Sequence, residues 1–137
     1  MALKDKISKF FNTKDGQISR AYQSYDRASD LLSARDKNPD FDRTQELDEA
    51  LEEAEQLALE LLKNYEGVKA WPGIFREMHM NLVRIWLKTE KYQEALKECD
   101  KVAEYNPIDA EELREAVEEA MSGKRLEATQ LDEVGVA

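Results

Sequence analysis

His79 is the only histidine and Cys99 the only cysteine among 137 residues, and these two side chains carry the widest reactive range near neutral pH. A zinc site draws three or four ligands from His, Cys and carboxylates, and one histidine with one cysteine supplies too few of the favoured donors. A carboxylate-bridged di-metal bundle needs a Glu-x-x-His on each of two helices, so a single histidine excludes it. Cys99 falls on an apolar helical stripe with no base beside it to draw off its proton, which predicts an inert core thiol. The acidic pairs Glu52-Glu53, Glu111-Glu112 and Glu118-Glu119 are adjacent in sequence. Adjacent helix positions do not face each other, so they predict solvated surfaces and not acid–base pairs. Gly-x-x-x-x-Gly-Lys, Gly-x-Ser-x-Gly and His-Glu-x-x-His are all missing from the sequence. The expectation is a chain with no catalytic residues, no metal and no cofactor, and therefore not an enzyme.

The elements that carry these residues read as helices throughout. Leu47, Ala50, Leu51, Ala54, Leu57, Ala58, Leu61 and Leu62 recur three and four apart, which predicts a helix near 45–64, capped by Thr44 with Glu46 in its first turn. Ile18, Ala21, Tyr22, Tyr25, Ala28 and Leu32 predict an earlier helix over 18–35, ending before Asn38-Pro39. Pro72 or its neighbour opens a helix of about 74–88. Its apolar residues Phe75, Met78, Met80, Leu82, Val83, Ile85, Trp86 and Leu87 spread over more than one side, as in a helix sandwiched between neighbours. After Thr89-Glu90-Lys91 a helix near 92–105 turns Ala95, Leu96, Cys99, Val102 and Ala103 inward. Asp109 and Glu112 form a capping box for a fifth helix, whose apolar face is Leu113, Ala116, Val117, Ala120 and Met121 and which stops at Ser122-Gly123.

Composition narrows the function classes. The net charge of −10 opposes nucleic acid, whose phosphates demand clustered Lys and Arg. The charge is segregated: residues 1–20 sum to +3, and residues 40–66 to −8. A lone cysteine fits a reducing compartment, and the sequence shows neither a spanning apolar run nor a secretory h-region, which makes cytoplasm the expected location. The expected organisation is an amphipathic segment over 1–16, a helical domain over 17–122, and a flexible tail over 123–137 containing Leu126, Leu131, Val134 and Val136.

Residues 76–109 resemble a tetratricopeptide repeat. Asn81-Leu82, Trp86, Tyr92, Glu94-Ala95-Leu96 and Pro107 stand at the positions where that 34-residue unit has its small polar–leucine pair, its aromatics, its Glu-Ala-Leu and its closing proline. His79 replaces the early tryptophan, Val83 and Glu90 replace glycines, Cys99 replaces the late aromatic, and Val102 an alanine. Glu49-Ala50-Leu51 echoes Glu94-Ala95-Leu96 at an offset of 45, so 18–35 and 45–64 read as a degenerate first hairpin. The resemblance implies an all-α fold of antiparallel hairpins stacked as a short array, with helix 109–121 as its cap. It implies a protein-binding adaptor or scaffold whose inner face is lined by Glu77, Met80, Asn81, Arg84, Leu87 and Lys88.

Asn81, Arg84 and Lys88 stack at helical spacing and suit a carboxylate or a peptide backbone. The partner-binding set is thus Met80, Asn81, Arg84, Leu87 and Lys88, with a peptide segment or another protein as partner. The competing reading is a solvated face whose two apolar residues are covered by the 18–35 helix. A second functional reading rests on residues 1–12. Leu3, Ile7, Phe10 and Phe11 share one side of a helix, flanked by Lys4, Lys6 and Lys9. They suit peripheral contact with an anionic membrane, or assembly into a homo-oligomer. The bland alternative is packing on the chain's own acidic helices.

Overall fold

The computed structural model describes residues 14–67 and 71–136, and the side chains of 15–67 and 71–123. Over these residues the chain is all-α, in five helices: α1 Lys14–Lys37, α2 Thr44–Tyr65, α3 Pro72–Lys88, α4 Tyr92–Tyr105 and α5 Pro107–Val136. It divides into two compact units, Met1–Met78 and His79–Ala137, with the boundary inside α3.

In the first unit α1 and α2 pack as an antiparallel hairpin. Gln17, near the start of α1, donates its amide to the Tyr65 hydroxyl at 3.3 Å, and its Oε1 accepts from Asn64 at 3.1 Å. Ten residues further along α1, Arg27 reaches Glu53 at 3.9 Å and Glu46 at 3.2 Å on the other half of α2. Seven of the eight apolar residues expected to face inward from α2 are buried; Leu57 is half-exposed.

The buried stripe of α1 differs from expectation. It runs through Ala21, Ser24, Ala28 and Leu31, with Ile18, Tyr22, Tyr25 and Leu32 half-buried along its edges. Small side chains at 21, 24 and 28 suit a close approach of α2, and the tyrosines lie at the margin of the stripe. The first turn of α2 is also not capped as expected. Arg43 holds the cap position without a side-chain bond to the helix's backbone N–H groups, and Thr44 is the first helical residue.

In the second unit α4 packs on α5. Arg114 of α5 donates to Asp100 of α4 at 2.6 Å. Ala95, Cys99 and Val102 of α4 and Val117 of α5 have no exposed surface. The α3–α4 turn has the hydrogen bonds of a Schellman close: Lys91 N–H to Trp86 O at 2.7 Å, and Glu90 N–H to Leu87 O at 3.3 Å. Glu90 occupies its left-handed position at φ 62°. Glycine serves such a position without the Cβ clash that an L side chain incurs.

The start of α5 corrects the expected capping box. Asn106 is extended, as a residue before proline must be, and its Oδ1 accepts the Ile108 N–H at 3.0 Å and the Asp109 N–H at 3.2 Å. Asn106 is therefore the cap and Pro107 the first helical residue, three positions earlier than the Asp109 reading. The expected stop at Ser122-Gly123 is not one either, because α5 continues to Val136. A glycine inside a helix costs only about 1 kcal/mol, and the Lys-Arg-Leu-Glu-Ala that follows is a run of good helix formers.

Candidate functional site

α3 brings together the histidine and the inner-face residues, and the two groups have different fates. His79 is 1% exposed and Glu98, reaching it from α4, is 5% exposed. The imidazole Nδ1–H donates to Glu98 Oε1 at 2.5 Å, and the ring lies 5.8 Å from that of Tyr105, tilted by 31°. Carboxylates are rarely so buried unless paired, and this one takes a charge-assisted bond from the imidazole. The sequence contains a signal for it that periodicity alone passes over: Glu98 lies three residues after Ala95 and four before Val102, on the inward stripe of α4. A carboxylate there requires a donor, and the one histidine supplies it.

Cys99 beside Glu98 has no exposed surface. Burial, the largest influence, raises its thiol pKa; nearby Arg114 pulls the other way and acidic neighbours add to the rise. A thiol so placed is a poor nucleophile at neutral pH. Tyr22 on α1 behaves similarly, its phenol raised first by burial and then by Glu77, against the pull of Arg76. Among the described residues no three His, Cys, Asp or Glu side chains are grouped as metal ligands would be.

The five residues of the partner-binding set separate by depth. Met80 is 9% and Asn81 3% exposed, so both lie beneath the surface; Arg84 and Leu87 are half-exposed and Lys88 exposed. Asn81 Oδ1 accepts from Arg84 Nη1 at 3.1 Å, which ties the visible cation to a buried amide one turn earlier. Glu77, one turn before Asn81, is half-exposed. The surface residues of this set are Arg84, Leu87 and Lys88, with Asn81 and Met80 as their footing. Leu3, Ile7, Phe10 and Phe11, read as membrane or assembly residues, lie outside the described residues.

An exposed electrostatic cluster that the sequence pattern does not single out joins α1 to the start of α2. Glu46 accepts from Arg43 Nε at 2.8 Å, from Arg43 Nη2 at 2.8 Å and from Arg27 Nη2 at 3.2 Å. The Arg43 bonds first, and then the Arg27 bond, hold its carboxyl down to about 2. Arg43 and Glu46 are three apart, a helical spacing visible in the sequence; Arg27 arrives only through the hairpin. Beside this cluster, Gln23, Arg27, Leu31, Ala34 and Arg43 help to line a surface groove of about 390 Å³.

Comparison with protein-family models, with curated proteins and with solved structures finds no match for this chain. Among the described residues no helix is long and apolar enough to cross a membrane.

Proposed function

We propose that the chain is a non-enzymatic protein-binding module, a tetratricopeptide-like adaptor or scaffold built from short helical hairpins. It takes a peptide segment of its partner on the exposed edge of α3. The observation that carries this reading is the Asn81–Arg84 bond of 3.1 Å. It pre-orients a half-exposed guanidinium beside half-exposed Leu87 and exposed Lys88. A guanidinium has five N–H donors, so the one spent on Asn81 leaves others to meet a carboxylate or peptide carbonyls. Pre-orientation lowers the ordering cost of binding, which a small contact can ill tolerate. Leu87 supplies an apolar contact next to the two cations.

The placement of His79 and Cys99 supports the same reading. Each is walled in with at most 1% of its surface exposed, and His79 is bonded to a helix partner. The side chains best suited to chemistry are committed to packing, and those on the α3 edge are suited to contact.

The test is selection of binding peptides from a random peptide library on the wild-type chain, followed by titration of the best peptide against Arg84→Glu. The reading expects at least a tenfold loss, about 1.4 kcal/mol, with the helical circular dichroism unchanged. Equal affinity for the folded variant would remove this edge as the interface.

A further inference from the structure

The first turns of α5 present a surface that the α3 edge does not use. Ile108 is 69% exposed, and it shares a stripe with Glu111, Glu115 and Glu118 at spacings of three, four and three. Alongside lies a groove of about 390 Å³ whose apolar lining is Ala103, Pro107 and Ala110. The three glutamates form its acidic rim. Arg114 also lines the groove, but its guanidinium is held by Asp100 at 2.6 Å, so the rim keeps its negative sign.

The surface asks for a short helix with apolar residues on one side and cations on its flanks. The chain contains a segment with that pattern. Residues 1–12 place Leu3, Ile7, Phe10 and Phe11 at spacings of four, three and one, with Lys4, Lys6 and Lys9 about them. As a helix they span about 18 Å, and the stripe from Ile108 to Glu118 spans about 15 Å, at 1.5 Å per residue. Sign, pattern and length all match.

We propose that this groove receives residues 1–12 of a second copy of the chain, exchanged reciprocally in a two-fold dimer. The area argues for reciprocity. Two phenylalanines bury roughly 300–500 Å². A stable interface needs about 1,600 Å² in total, so one such contact falls short. Two equivalent contacts, each adding Leu3, Ile7 and the groove walls, reach that range, and a two-fold axis supplies the second at no extra design. The proposal does not depend on the α3 edge.

The test is charge-swap complementation on the full chain, read as solution mass by light scattering. One variant carries Lys4→Glu, Lys6→Glu and Lys9→Glu; the other carries Glu111→Lys, Glu115→Lys and Glu118→Lys. The wild type is expected at twice the chain mass, each variant alone at the chain mass, and their equimolar mixture again at twice. Phe10→Ser with Phe11→Ser, which leaves every charge in place, is expected to be monomeric with unchanged circular dichroism. A wild type that stays monomeric would overturn the proposal, whether the segment folds onto its own chain or the monomer instead binds phosphatidylserine vesicles. A mixture that fails to restore the dimer from two folded variants would overturn it equally.

Discussion

Glu46 in the first unit and Glu98 in the second are both carboxylates held by nitrogen donors, and their surroundings make them opposite cases. Glu46 collects bonds from two arginines at an open surface, where water and salt compete for each one. Among the described residues Glu98 has one hydrogen-bond partner, His79 at 2.5 Å, and it has almost no access to solvent. The number of bonds is therefore a poor guide to consequence. What decides it is what remains when the partner is removed: at Glu46, a carboxylate that water can solvate, and at Glu98, a buried charge with nothing to replace the imidazole.

The largest expected effect comes from breaking the buried pair from one side. His79→Leu should cost about 3–5 kcal/mol in urea unfolding, the penalty for stranding a buried charge. His79→Leu combined with Glu98→Leu should return to within about 1 kcal/mol of the wild type, because no charge is stranded when both partners become apolar. Additive losses would mean that the two residues act separately. Next in size is Asn106→Ala, which removes the acceptor of two α5 N–H groups and should cost about 1 kcal/mol. The same unfolding curve measures it.

Glu90→Gly should act in the opposite direction. It relieves the left-handed φ of 62° and is expected to stabilise by about 0.5–1 kcal/mol. The smallest effect is reserved for Glu46→Gln, seen as a slight lowering of the thermal midpoint at neutral pH that shrinks as salt is added. Its pH dependence has a fixed sign. The folded-state value of about 2 lies below the usual 4.5, so the contribution is fully present above about 4.5 and is lost as pH falls through about 2. Wild type and variant should converge in acid. A midpoint gap that widens there would contradict the arginine origin of the shift.

The sequence disclosed the two regions unequally, for reasons that follow from the same contrast. Apolar periodicity located α2 and α4 to within a residue at each end, since both carry one strong inward stripe. It placed the stripe of α1 a little off. Leu32 looked the better core residue, while the close approach of α2 at Ala21, Ser24 and Ala28 selects Leu31. The beginning of α5 was misplaced because Asn106-Pro107 reads as a stop, although the same pair ends one helix and caps the next. The Glu98 pairing stayed hidden because hydrophobic pattern assigns charges to water, and only the tertiary meeting of α3 with α4 gives this one a partner. Of the candidate site, the order Asn81–Arg84–Lys88 along α3 was legible from spacing. The depth of Met80 and Asn81 was not, because a helix apolar on several sides does not announce which side is closed.

The central claim is that the chemistry-bearing pair of the second unit is structural, and that contact with a partner belongs to the α3 edge. One binding titration tests it: the library-selected peptide against the folded His79→Leu/Glu98→Leu variant and against Arg84→Glu. The account predicts wild-type affinity for the first and at least a tenfold loss for the second. Loss of binding by a folded His79→Leu/Glu98→Leu chain, with Arg84→Glu unaffected, would contradict it.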